Sequence, residues 1–440
     1  MKLRAALDRH LRAGWLRPFR NAGILALGRG AQSVLSLLTI VLVTRVLGPE
    51  QFGVLILVHG LIVLTTQILR FQSWQAVLKY GAPALHVNDV AGFHRVVFHA
   101  FGLDVSSAVV AFATLLVCSE AISSFAGIPA TQVELTRLYA VSVVFLILDA
   151  CPTGILRLLD RHDLISWQST VEPLIRCVGA IVLFLAGGTL EHFLLIWLVA
   201  NVSSKLVLFA FAHQALVGRG LALDWENLDR RCLAPAPGIW RFTLGTNIGS
   251  SLNVGDVQIG PLLAGGLLGA SEAGLYRIAQ QVSNAVAKPV SKLLVPAIYT
   301  DLSVLIASGD HAARRTVVKR SGLLAGAIAT AVCAVIVVFG ENLIGLLFGA
   351  AFVPAYAAVV WFAAAGVLTT FTFPLVPQLI SSGHVRAVIV LRGLALALYL
   401  ACFYALVPSW VLTGAGITVM VHAIVTVCLS LLFTRVLIRR

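Results

Sequence analysis

Fourteen ionisable side chains fall within otherwise apolar stretches of this chain. Ten are basic: Arg29, Arg45, Arg70, Arg137, Arg176, Lys205, Arg277, Lys288, Lys292 and Arg392. Four are acidic: Asp104, Asp149, Glu172 and Asp256. A cation in apolar surroundings needs an acidic partner or an anion supplied from outside. The planar donor fork of arginine suits phosphate in particular. Arg45, Arg70, Arg137 and Lys292 lie near the ends of their stretches, where a long side chain can reach a polar boundary. The rest lie deeper.

Depth can be compared by counting residues from the nearest turn. Asp256 and Arg277 share a level on either side of the 264–272 turn, and Glu172 and Lys205 share one about the 187–191 turn. Each couple can pair. Asp104 and Asp149 lie at similar depth on successive stretches, an arrangement suited to a proton-coupled carrier. Asp104, Asp149, Glu172, Lys205 and Asp256 therefore read as ion-coupling groups or as structural pairs. Arg29 has no acid within a helical turn, and Lys288 precedes Pro289, which tends to kink a helix. With pairs discounted, the interior is positive. Arg29, Arg277, Lys288 and Arg392 are the candidate ligands for an anion. His422, alone in the last stretch, reads as a packed histidine. No metal-type spacing of Cys and His and no nucleophile constellation stands out, so no metal, catalytic residue or cofactor is expected beyond H+ or Na+ as a coupling ion.

These residues are positioned by an all-α polytopic membrane architecture. The chain has 440 residues, 59% hydrophobic and 12% charged, with a mean hydropathy of +0.94; soluble domains carry about 25% charged residues. Twelve spans are predicted near 22–46, 52–73, 95–118, 135–157, 164–186, 192–216, 238–263, 273–299, 317–339, 354–380, 385–407 and 415–435. Alternate connections contain no Lys or Arg and carry Glu50, Glu120, Glu134, Glu191, Glu272 and Glu341 instead; the opposite connections and both termini hold 22 of the 32 basic residues. That asymmetry predicts cytoplasmic termini. It also explains the net charge of +13 without nucleic acid, since loop cations beside spans meet anionic lipid headgroups. Residues 1–21 form a basic arm in which Leu3, Leu7, Leu11 and Trp15 recur every fourth position, the pattern of a helix lying on the membrane surface.

A polar segment, 217–237, is read as a cytoplasmic linker between an N-lobe (22–216, six helices) and a C-lobe (238–440, six helices). Leu47-Gly48 with Gly53 recurs as Leu268-Gly269 with Gly274, and Pro152 and Pro374 lie 222 positions apart in matching helices. Two parallel repeats of this kind predict two lobes around a central cavity.

The segment Thr44-Arg45-Val46-Leu47-Gly48-Pro49-Glu50-Gln51-Phe52-Gly53 resembles the first outer turn of Wzx-type polysaccharide flippases, a branch of the multidrug/oligosaccharidyl-lipid/polysaccharide exporter superfamily. Leu268-Gly269-Ala270-Ser271-Glu272-Ala273-Gly274-Leu275-Tyr276 is similar to the matching second-half turn, and Leu347-Phe348-Gly349-Ala350-Ala351-Phe352-Val353-Pro354-Ala355 to a third segment, though without the acid often found after that glycine. The resemblance implies a bacterial inner-membrane flippase working by alternating access, in the synthesis of O-antigen, capsule, exopolysaccharide or another surface polymer. Its implied partners are a polyprenyl-diphosphate-linked glycan, membrane lipids and the polysaccharide polymerase machinery. Arg29, Arg277, Lys288 and Arg392 would then meet the diphosphate. Two alternatives make different demands. An ion-coupled multidrug antiporter of the same superfamily expects an acidic cavity. A polymerase or ligase of lipid-linked glycans, an enzyme, expects a substantial outer loop, whereas the outer turns here are short.

Overall fold

The computed structural model describes the backbone of residues 2–222, 238–240, 242–243, 255–307 and 311–438, and the side chains of 32–222, 238–240, 242–243, 258–286, 298, 302, 305 and 312–437. Every regular element among the described residues is helical. The helices are α1 (Lys2–Leu69), α2 (Ser73–His86), α3 (Val90–Val117), α4 (Ser119–Phe125), α5 (Val133–Leu148), α6 (Ala150–Leu158), α7 (His162–Ala186) and α8 (Leu190–Val217). They continue as α9 (Gly255–Leu268), α10 (Ala270–Ala307), α11 (His311–Phe348), α12 (Tyr356–Phe371), α13 (Leu375–Ser381) and α14 (Val385–Ile438). Eight helical stretches among the described residues are long and apolar enough to cross a bilayer, and two of them, Gln32–His86 and Val385–Leu437, are long enough to hold a hairpin or a broken pair.

The outer turns expected from the repeated Leu-Gly motif form where the motif stands. Gly48 adopts φ 66° between the two arms of α1, and Gly269 adopts φ 98° between α9 and α10. Both values belong to the left-handed side of the map, where a Cβ is penalised. Val411 makes the corresponding reversal within α14 at φ 48°. At the start of α8, Thr189 and His192 exchange capping hydrogen bonds, which gives the lone outer histidine a structural role.

Three predicted spans are broken. The second span does not run to residue 73: α1 ends at Leu69 and α2 restarts at Ser73. The fourth divides at Asp149 into α5 and α6, and the tenth divides at 372–374 into α12 and α13. Pro152 falls in the first turn of α6 and Pro374 immediately before α13. Proline is tolerated there because those N–H groups have no intrahelical partner. The two prolines thus begin half-helices at matching places in the two halves of the sequence.

The chain forms two compact units. The first comprises Met1–Val46, Thr65–Glu120 and Val133–Ser250. Its core joins Val77 of α2, Phe93 and Val97 of α3, Ile155 and Leu156 of α6, and Leu208 of α8. Asp89 caps α3 by accepting from the Gly92 N–H at 2.8 Å. Valines and leucines along α7, including Val178, Val182 and Leu185, are exposed; in a bilayer they form the lipid-facing surface. Trp167, Trp240 and Trp410 are exposed, as interfacial anchors should be, and Trp74 lies under the Arg157 guanidinium at 4.2 Å.

Arg137 stays near the end of its helix, donating to Ser119, Glu120 and Glu134 at 2.9, 3.1 and 3.2 Å. Both carboxylates are more than four-fifths exposed. Arg137→Gln should therefore change stability by less than about 1 kcal/mol, measured as a shift of the thermal unfolding midpoint in detergent.

The second unit comprises Leu47–Leu64, Ala121–Gln132 and Ser251–Arg440. Its core is aromatic: Tyr276 of α10 packs edge-on to Phe362 of α12 at 5.0 Å, and its hydroxyl lies 3.2 Å from that of Tyr399. Phe52, from the second arm of α1, stacks edge-on to Phe352 at 5.8 Å. The same arm touches α10 backbone to backbone. A Cβ added at Gly53 would stand 1.7 Å from the Ala270 carbonyl oxygen, and one at Gly274 would stand 2.6 Å from that of Pro49. Gly127 meets the Gly265 carbonyl in the same way, at 1.9 Å. The segments around Gly53 and Gly127 are thus sealed onto α9 and α10 by glycines.

Candidate functional site

The two helix breaks of the first unit carry its deepest polar residues. Asp104 of α3 is fully buried. Its Oδ2 accepts from the Ser73 hydroxyl at 2.8 Å and from the Cys151 N–H at 3.0 Å. Ser73 is the first residue of α2, and Cys151 lies in the first turn of α6. One carboxylate oxygen therefore ties two half-helices together: it caps a backbone N–H in the first turn of α6, where the helix dipole presents partial positive charge, and accepts from the side chain of the first residue of α2. The half-helices are pressed together as well, since Gly154 of α6 lies so close that an added Cβ would be 2.9 Å from the Trp74 Cα.

Asp149 stands at the other break and holds two cations. Arg70 Nη2, from the gap between α1 and α2, lies 2.5 Å from Oδ1, and Lys205 Nζ of α8 donates to Oδ2 at 2.8 Å. Arg157, two turns along α6, adds a third positive charge over the Trp74 ring. Three cations thus share this cluster with two carboxylates, one of which is engaged at the helix starts. Several buried polar atoms here have no hydrogen-bond partner among the described residues: Asp104 Oδ1, Asp149 Oδ1 (which meets Arg70 Nη2 as an ion pair), Arg70 Nε, and both amide atoms of Asn201, one turn before Lys205. The arrangement can hold an oxyanion: convergent cations, a planar guanidinium fork, and a side-chain amide able to donate.

The structure brings together Asp149 and Lys205, and links them through Cys151 to Asp104. It does not bring together Glu172 and Lys205. Glu172 pairs instead with Arg176 at 2.6 Å, one turn along α7, and that guanidinium stacks 4.4 Å from the Trp197 ring. Equal depth put Glu172 and Lys205 at one level but said nothing of direction around the helix axis; Arg176, at i+4 on the same face, was the nearer partner.

In the second unit Arg277 donates to Gln280 Oε1 at 2.8 Å, while its buried Nε has no partner among the described residues. Arg392 of α14 is exposed, and His422 packs edge-on to Tyr399 at 5.6 Å. Arg29, Asp256 and Lys288 lie outside the residues whose side chains are described, and with Asp256 goes its expected pairing with Arg277.

Sequence reading placed Arg70 as a snorkelling residue near a span end and passed over Ser73, Arg157 and Asn201. A signal existed. Arg70-Phe71-Gln72-Ser73 is a polar interruption ending in a helix-starting serine, and Asp149-Ala150-Cys151-Pro152 has the acid-then-proline order of a helix N-terminus.

Residues 19–299 match the family model described as polysaccharide biosynthesis protein. The chain is 30% identical over 339 residues to the inner membrane protein YghQ of Escherichia coli (strain K12), covering 77% of this chain and 94% of that one. A solved structure of a multidrug resistance MATE family transporter of the MOP superfamily, in an inward-facing conformation, matches with a TM-score of 0.75 at 18% identity, covering 93% of this chain and 96% of that chain. The lipid II flippase MurJ in an inward closed conformation matches with a TM-score of 0.72 at 8% identity, covering 93% and 87%. At these identities the structural likeness is one of fold.

Proposed function

The chain belongs to the polysaccharide biosynthesis protein family, and from that membership we propose that it is a flippase. It carries a polyprenyl-diphosphate-linked oligosaccharide from the inner to the outer leaflet by alternating access, for the synthesis of a surface polysaccharide. Its fold is that of MOP-superfamily transporters; it is a multi-pass inner-membrane protein and a transporter, not an enzyme. The observation that carries the finer reading is the positive surplus at the broken helices, where Arg70, Arg157 and Lys205 meet two carboxylates among the described residues, Asp104 and Asp149. A diphosphate requires cations, a glycan requires a polar path, and a polyprenyl tail can remain in the bilayer. Buried unsatisfied polar atoms are costly in a membrane protein, and an anionic headgroup would satisfy the donors among them, Arg70 Nε and Asn201 Nδ2. The membrane potential favours the same direction, since moving one negative charge outward across 100 mV gains about 2.3 kcal/mol.

The test uses the purified protein in liposomes with a fluorescent polyprenyl-diphosphate oligosaccharide on one leaflet. Wild type should move it to the other. Arg29→Ala should abolish movement while the protein remains folded, and Arg277→Ala should slow it; full transport by Arg29→Ala would remove Arg29 from the headgroup ligands. Export of cationic dyes with no glycolipid movement would establish the multidrug reading in its place.

A further inference from the structure

We propose that Arg70 and Lys205 form a phosphate-class oxyanion site that Asp149 occupies as a built-in counter-ion, and that an arriving ligand phosphate displaces Asp149 and thereby releases the break in the fourth span. The identity of the ligand as a lipid diphosphate rests on the flippase reading above; the site itself rests on its geometry.

Four observations carry it. Asp149 receives two cations from two separate elements, Arg70 from the gap before α2 and Lys205 from α8, at 2.5 and 2.8 Å. A carboxylate held this way has the charge and spacing of one face of a phosphate group. Asp104 has one oxygen to offer these cations, Oδ1, because its Oδ2 is committed to Ser73 and to the Cys151 N–H. The cations have capacity beyond Asp149: Arg70 Nε is unpartnered among the described residues, and the Asn201 amide beside Lys205 is buried with both polar atoms unpartnered. Finally, the Arg70 side chain retains 28% exposure against 11% for that of Asp149, so a ligand meets the guanidinium before it meets the carboxylate.

The position of Asp149 turns binding into motion. It is the residue between α5 and α6. While its carboxylate is pinned to α8 and to the gap before α2, the angle between the two half-helices is fixed. Once phosphate oxygens replace it on Arg70 and Lys205, α6 is tied to its surroundings only through the Asp104 cap and its packing. A ligand that binds better when Asp149 is released shifts the equilibrium toward the released conformation by that difference in affinity.

Binding is measured in nanodiscs with two probes, inorganic diphosphate and glycan-free polyprenyl diphosphate. Asp149→Asn should bind at least one of them about tenfold more tightly than wild type, because the competing charge is gone while the shape is kept. The probe that shows the gain distinguishes a free phosphate ligand from a lipid headgroup. Arg70→Gln added to Asp149→Asn should erase the gain, and Asp149→Glu should bind as wild type does. Lys205→Gln, which leaves Asp149 partnered by Arg70, should weaken binding about tenfold and serves if Asp149→Asn does not fold. Affinity for both probes unchanged in Asp149→Asn, or unchanged in Lys205→Gln, overturns the proposal. A protein that moves glycolipid but fails these binding criteria keeps the flippase reading and loses this one; a protein that meets them but moves no glycolipid does the reverse.

Discussion

Valine in place of Gly53 is expected to stop transport while leaving the protein inserted and folded. The added Cβ would stand 1.7 Å from the carbonyl oxygen of Ala270 and 2.5 Å from its carbonyl carbon. Both are backbone atoms in the first residue of α10, so no side chain can swing away to make room. The second arm of α1 must move off α10, losing the Phe52–Phe352 contact and the packing of Gly274 on Pro49 as well. Forced overpacking of this kind costs about 1–3 kcal/mol, which shifts a two-state equilibrium about 5- to 150-fold against the sealed arrangement. A carrier that alternates between access states must pass through the sealed one in every cycle. Transport is measured in liposomes. The seal is measured by maleimide labelling of a cysteine at Ala273, which is fully buried here, with the native cysteines replaced. Faster labelling together with lost transport is expected in Gly53→Val; slow labelling with full transport would show that the glycine contact is not a closure.

Asp104→Leu should lower stability by about 2–6 kcal/mol, the cost of leaving two buried donors without their acceptor. Leucine fills a similar volume, so the loss comes from hydrogen bonding and not from a cavity. It leaves the Ser73 hydroxyl and the Cys151 N–H without their acceptor, and each buried orphan costs about 1–3 kcal/mol. Asp104→Asn retains an acceptor oxygen at the same place and should lose less than about 1.5 kcal/mol. Thermal unfolding in detergent compares the two; a leucine variant as stable as the asparagine variant would show that the carboxylate does not hold the half-helices.

The broad architecture was legible in the sequence because lipid imposes it. Apolar stretches of spanning length, acidic outer turns and the repeated Leu-Gly pair are one-dimensional signals, and Gly48 and Gly269 do turn where that pair stands. The breaks were less legible. Pro152 and Pro374 marked two of them, but the gap at residues 70–72 contains neither proline nor glycine. There the break is sustained by tertiary partners, the Asp104 cap on Ser73 and the Asp149 pairing of Arg70, which no local pattern encodes. The candidate cluster suffered most from the difference between depth and direction. Counting residues set Glu172 level with Lys205 and Asp104 level with Asp149; choosing actual partners required the rotation of each helix, which periodicity in a nearly uniform apolar span does not supply.

The sharing of Asp104 Oδ2 between two half-helices has an evolutionary consequence. An α-helix advances about 100° per residue, so one residue inserted between Arg70 and Ser73, or between Asp149 and Cys151, would swing the start of a half-helix off the shared carboxylate. Neither insertion could be corrected by moving Asp104, because the other half-helix depends on the same oxygen. These two short segments can therefore diverge by substitution but not by change of length, and each constrains the length of the other although they lie about 80 positions apart in the chain.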